Sequence, residues 1–277
     1  MKKPYLIPNA ITAFGLSCGL FVIFKTSLVD PTRDLFSILQ ASAILLLIAA
    51  IADLADGAIA RLIRAESEFG GQFDSLSDCV TFGVAPPLLV LKSFANEDLG
   101  RLLTFFVIIA SMIYALCGVL RLVRYNIRAQ GVDKPEAALV KNKHFVGLPI
   151  PAAAAGAVST ALIMVSPFVE ETFALSTKTR ALILIGVLLV LGYFMVSRWK
   201  FPSIKALHFR VPSFYLVIAT GVVAVLFLYG ILDFFAEAFF IASWLYLLIS
   251  WTLSIIRLVA GKRSKTLADF EPYDEEE

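Results

Sequence analysis

Four aspartates in this chain have the spacing to do chemistry together: Asp53, Asp56, Asp74 and Asp78. Most other acidic residues fall in connecting segments or in the tail. These four flank two apolar runs, and acids inside membrane-embedded segments are normally paired or functional. Asp53 and Asp56 are three residues apart and Asp74 and Asp78 four apart, so on helices each pair shares one face. A short connection between Arg61 and Phe73 folds the two helices together, which lets all four carboxylates converge. Such a cluster repels itself unless a cation sits within it. Oxygen-only ligands select hard cations, so Mg²⁺ or Mn²⁺ is expected, with Ca²⁺ also suited. Four carboxylates can hold two such ions about 3.5–4 Å apart, the arrangement that clamps a transferring phosphate. Gly57 and Gly70 leave room for a ligand beside the backbone, and the planar fork of Arg61 suits a phosphate. The competing reading is helix-end acids neutralised by Arg61 and Arg64. It accounts for one aspartate more readily than for four at these intervals beside two glycines.

The elements that must position these residues are membrane helices. Of 277 residues, 59% are hydrophobic and 17% charged, too little polar surface for a water-soluble domain of this length. The apolar residues come in runs close to the ~20 residues that cross a bilayer, and spans in lipid must satisfy their own backbone polar groups, hence helices. Eight runs are read: Ile11–Phe24, Ser37–Leu54, Phe73–Leu91, Leu102–Leu120, Leu148–Val165, Ala181–Val196, Val211–Leu228 and Phe234–Ile256. The expected fold is therefore all-α, a polytopic membrane bundle of about eight transmembrane helices forming one domain over residues 1–260. The short runs imply helices that extend into their polar flanks. Residues 261–277, ending in four acids and lacking periodicity, are expected to be a disordered tail. Eighteen of the 24 lysines and arginines fall on the side that holds the N-terminus and the even-numbered connections. The positive-inside rule then places both termini, and the aspartates, in the cytoplasm.

Other features narrow the reading. Met1-Lys2-Lys3 before an apolar run mimics a signal peptide, but without a clear small-residue cleavage site it is expected to be an uncleaved first span. Pro4 to Asn9 reads as an interfacial lead-in. Cys18, Cys79 and Cys117 are odd in number, lie in apolar runs and lack metal-ligand spacing, so they read as packing residues. His144 and His208 are isolated. Small residues from Ala152 to Gly156 suit close helix packing. The net charge of +2 gives no reason to expect a nucleic-acid partner.

The segment Asp53-Leu54-Ala55-Asp56-Gly57-Ala58-Ile59-Ala60-Arg61, followed after eight residues by Gly70-Gly71-Gln72-Phe73-Asp74-Ser75-Leu76-Ser77-Asp78, resembles the signature of the CDP-alcohol phosphatidyltransferase family, D-x-x-D-G-x-x-A-R then G-x-x-x-D-x-x-x-D, at every position. The resemblance implies that Asp53, Asp56 and Asp74 bind metals and that Asp78 is the candidate base, a fourth metal ligand being its other reading. It also implies that the cytidine lies near Gly57, Ala60 and Gly70; with Arg61 and Ser75 these are the residues expected to bind the CDP-lipid.

The stretches Phe82-Gly83-Val84-Ala85-Pro86, Arg121-Leu122-Val123-Arg124-Tyr125-Asn126, Phe145 to Ala153 and Ser197 to Lys205 resemble the serine-accepting branch of that family, so the likeness runs from about Pro8 to Lys205. It implies transfer of the phosphatidyl group of CDP-diacylglycerol to L-serine, in a bilayer, by a chain expected to form a homodimer. Arg121, Arg124 and Lys205 are the candidates for acceptor binding, since arginine suits a carboxylate. They also suit a phosphorylated acceptor such as glycerol 3-phosphate or an inositol phosphate, and each has an ordinary alternative as a positive-inside residue or a headgroup contact. A reading from another class, a divalent-cation transporter, would require acids near the midplane and repeated halves, and the sequence has neither.

Overall fold

The computed structural model describes residues 6–28, 34–63, 65, 67–130, 144–197, 200–202 and 234–260. Nine α-helices are described: α1 (Leu6–Leu28), α2 (Leu35–Leu62), α3 (Glu68–Asp78), α4 (Ala85–Lys92), α5 (Gly100–Gln130), α6 (Ile150–Met164), α7 (Pro167–Phe173), α8 (Thr177–Val196) and α9 (Phe235–Ala260). Six helical segments are long and apolar enough to cross a membrane, α3 and α4 counting as one. The pair α6 and α7, bent by 59°, makes a seventh if it is one span. These correspond to the expected spans one to six and eight. Span seven, Lys205, Arg64 and the tail lie outside the described residues. The all-α bundle carries one short ribbon, β1 (His144–Val146) antiparallel to β2 (Lys200–Pro202), with Phe145 opposite Phe201.

The outside of this bundle is apolar. Ile51, Leu54, Leu116 and Leu245 are each more than half exposed, and a water-facing surface of that kind would not stay monomeric. Lipid is the solvent that makes it stable, so the chain is a multi-pass membrane protein. The centre is α6, whose residues from Ala153 to Ile163 are nearly all buried. Its small side chains admit close neighbours: a Cβ on Gly156 would lie 2.9 Å from Leu247 of α9.

The helices outrun their apolar cores. α2 continues to Leu62 and α3 begins at Glu68, capped by the Ser67 hydroxyl, which accepts from the Gly70 amide at 3.0 Å. Asp53, Asp56 and Asp74 therefore stand inside helices, with Asp78 where α3 passes into the next turn, and the connection is shorter than the Arg61–Phe73 segment read from hydropathy. Polar residues that line an interior do not end a helix; they only end an apolar run. For the same reason Leu6 to Asn9 form the first turn of α1 rather than a lead-in.

Directly after Asp78 the third span widens into a π-helical turn, Cys79–Val84. Pro86 and Pro87 follow at the start of α4. Neither has an amide proton, so the carbonyls one turn earlier lose their helical donors. The buried Tyr114 hydroxyl of α5 supplies one, donating to the Phe82 carbonyl at 3.3 Å. The wide turn and the proline pair thus cost less backbone bonding than their sequence implies.

Candidate active site

The carboxylates of Asp53, Asp56 and Asp74 converge, with one oxygen of each within 4.8 Å of the others. Asp53 and Asp74 are in direct contact. Asp56 is buried, at 4% exposed, and accepts a hydrogen bond from the Thr12 hydroxyl of α1. Asp78 lies a turn further in. It lines a small inner cavity of about 10 Å³ with the other three aspartates, Thr12, Ser77 and Thr81, room for roughly one water. The Thr81 hydroxyl, in the π-helical turn, is buried there without a hydrogen-bond partner among the described residues. On its other side Asp78 faces the charge of Arg121 on α5.

Outward from the aspartates opens a cleft of about 430 Å³. Asp56, Asp74, Gly57, Ala60, Arg61, Gly70 and Ser75 all line it, so every residue expected to touch the CDP-lipid reaches one space. The Arg61 guanidinium folds over Gly57, its nitrogens 3.6 and 3.7 Å from where a Cβ would begin. At Gly70 a Cβ would come 3.2 Å from Asn9 of α1. Ser75 sits 2.9 Å from the Asn126 side-chain oxygen of α5, to which its hydroxyl can donate.

The acceptor candidates are placed apart from that cleft. Arg121 is within electrostatic reach of Asp78, of Tyr125 and of Tyr246 of α9. Arg124 donates to the Val196 carbonyl at 2.8 Å, closing the C-terminal end of α8. Several cleft residues escaped the sequence reading: Asn9, Thr12, Gln72, Tyr125 and Asn126. Asn9 and Thr12 stand three residues apart at the head of an apolar run, a polar pair on one helix face that was the available signal.

The donor set is chemically consistent with divalent cations. Three clustered carboxylates, with a fourth one turn away, offer only hard oxygen ligands, and among the described residues no salt bridge ties a cationic side chain to any of them. Asp53, Asp56 and Asp74 would hold the ions.

Fold and site together define a class: a membrane-embedded helical bundle that gathers carboxylates beside a cleft large enough for a phosphorylated ligand. The chain belongs to the CDP-alcohol phosphatidyltransferase family, which it matches over residues 5–191. It is similar to proteins named CDP-diacylglycerol–serine O-phosphatidyltransferase from several organisms. That of Helicobacter pylori (strain J99) is 30% identical over 214 residues, 77% of this chain and 79% of that protein. That of Methanocaldococcus jannaschii is 30% identical over 203 residues, 73% and 77% of the two chains. That of Bacillus subtilis is 31% identical over 199 residues, 72% and 91%.

Proposed function

We propose that this chain transfers the phosphatidyl group of CDP-diacylglycerol to the hydroxyl of L-serine, releasing CMP, at the cytoplasmic face of the cell membrane. The observation that carries the reading is the convergence of Asp53, Asp56 and Asp74, two of which line the inner end of the cleft, in a chain similar over most of its length to serine-using relatives. In the reaction the serine oxygen forms a bond to the phosphorus next to the diacylglycerol, and the bond from that phosphorus to the CMP oxygen breaks. The hydroxyl proton passes to Asp78. Bound Mg²⁺ or Mn²⁺ would offset the negative charge of the diphosphate, the main demand of phosphoryl chemistry.

The chain's own residues do the rest. Gly57 and Gly70 admit the nucleotide close to the backbone, and Arg61 lies over Gly57, placed for a phosphate. Ser75 and Asn126 link α3 to α5 along the cleft wall. Asp78, at the inner end of the carboxylates, takes the proton. Arg121, facing Asp78 from α5, receives the carboxylate of serine. Arg124 serves instead to close α8. A homodimer is part of the proposal; crosslinking of the detergent-purified chain tests it.

An acceptor screen tests the central claim. Purified protein with CDP-diacylglycerol and Mg²⁺ or Mn²⁺ should release CMP with serine, and poorly with glycerol 3-phosphate, inositol phosphate or serinol. Preference for a phosphorylated acceptor would overturn the serine assignment while leaving the family chemistry intact.

A further inference from the structure

Four buried polar groups on α5 and α9 have no hydrogen-bond partner among the described residues: Oγ of Ser111, Nε of Arg121, Oγ of Ser250 and Nε1 of Trp251. Buried donors are ordinarily satisfied, and orphans call for an explanation. Ser250 is only 1% exposed, so bulk water does not serve it. The neighbouring Trp244 shows the ordinary pattern, its indole N–H donating to Thr160 at 3.0 Å. Trp251 instead packs its ring on Phe194 at 4.9 Å and leaves its N–H unspent.

Two of these orphans, Arg121 and Ser250, meet at one residue. Tyr246 lies one turn before Ser250 on the same face of α9. Its hydroxyl lies against Ser250, short of a well-formed hydrogen bond, and within the field of Arg121. Arg121 in turn faces Asp78. The set therefore runs from the aspartate at the inner end of the carboxylates, through one guanidinium, to two hydroxyls on the last helix. Every orphan can donate and none is an obligate acceptor. A collection of donors around a single guanidinium is the complement of a small anion. One positive charge matches a carboxylate better than a doubly charged phosphate. α9 lies beyond the region that matches the family, residues 5–191, so nothing in the signature motif assigns it a part in the reaction.

We propose that α9 completes the acceptor subsite: Arg121 takes the carboxylate of the amino alcohol, Tyr246 and Ser250 donate to the same carboxylate, and the substrate hydroxyl is thereby turned toward Asp78. This rests on the serine reading and extends it to residues that set acceptor specificity. Tyr246 and Ser250 are specificity residues, distinct from the diphosphate-binding machinery on α2 and α3.

The test is steady-state kinetics on Tyr246→Phe and Ser250→Ala, each prepared separately and checked for native thermal unfolding in detergent. Both changes remove a hydroxyl and little volume. A lost hydrogen bond to a charged group is worth roughly a tenfold change in binding. Each variant should therefore raise the serine KM by roughly that factor and leave the CDP-diacylglycerol KM within about twofold. The preference for serine over serinol, which lacks the carboxylate, should shrink by the same factor. A merely structural role predicts something else: unchanged kinetics, or parallel losses for serine, serinol and the CDP-lipid. Either result in a folded variant overturns the inference and leaves the serine reading standing. A native enzyme that does not use serine overturns both.

Discussion

Asp53, Asp56 and Asp74 differ from the other acids of the chain because they face one another. Carboxylates that close repel strongly at low effective dielectric, so their convergence is itself a demand for cations. Asp53→Asn, Asp56→Asn and Asp74→Asn, each near-isosteric, should insert and fold yet lose nearly all turnover. Chelation of the native enzyme with EDTA should do the same, with Mg²⁺ or Mn²⁺ restoring CMP release; full activity after metal stripping would end the cation reading. Asp78 is separable from them. It lies outside the group of three and beside Arg121. If it takes the serine proton, Asp78→Asn should cut kcat by roughly 10²–10⁴-fold with metal and CDP-diacylglycerol affinity near native. If it is a fourth ligand, metal affinity falls first and high Mg²⁺ restores the rate, which would sink the base assignment. These four residues were legible in the sequence because intervals of three and four place side chains on one helix face whatever the rest of the fold does. Arg124 was not, since only the fold brings the Val196 carbonyl to within 2.8 Å of its guanidinium.

At the scale of elements, α1 does more than anchor the chain. Its Thr12 holds Asp56, and its Asn9 lies at the cleft wall beside Gly70. No acid or motif marks that role in the sequence, where Asn9 closes the interfacial lead-in and Thr12 falls in the first apolar run. Besides packing on α2, α1 approaches the π-helical turn closely. A Cβ on Gly19 would fall 2.4 Å from the Thr81 hydroxyl and 2.9 Å from the Thr81 Cα. The second contact is with backbone, so rotating a side chain does not relieve it. Gly19→Ala therefore pits two effects against each other. The helix gains about 0.5–1 kcal/mol from losing a glycine, while overpacking a tight contact costs about 1–3 kcal/mol. The clash should win, lowering the unfolding midpoint in detergent and, by shifting α1 from Asp56, the activity of the folded fraction as well. Gly186 of α8, with nothing within 4 Å of its added Cβ, is the control: Gly186→Ala should leave the midpoint unchanged or raise it. A Gly19→Ala protein as stable and active as native would show that α1 is not held by this contact. The π-helical turn was equally hidden. Pro86-Pro87 is visible in the sequence, but the Tyr114 hydroxyl that answers the freed Phe82 carbonyl comes from a helix 32 residues away.

At the scale of the whole molecule, hydropathy recovered the helices but not their ends, because interior polar residues break an apolar run without breaking a helix. Two long-range contacts support the order in which the spans were read. β1 follows the fourth span and β2 the sixth, and their pairing requires both connections to emerge on one face. Glu97, after the third span, pairs with Arg180 at the start of the sixth, which requires the opposite face. Neither contact says which face is cytoplasmic; that rests on the distribution of charge. The sequence reading assigns eighteen of the 24 basic residues to the side of the aspartates, and translocating such a side is disfavoured. The chemistry points the same way, since CMP is a charged nucleotide that does not cross a bilayer unaided. Single cysteines test the assignment. Ala95, exposed between α4 and α5, and Leu62, 82% exposed at the end of α2, lie on opposite faces. In intact cells a membrane-impermeant maleimide should label Ala95→Cys above the background set by the native Cys18, Cys79 and Cys117. It should label Leu62→Cys only after permeabilisation. The reverse pattern would place the aspartates outside the cell and overturn the cytoplasmic site, whatever the acceptor screen returned.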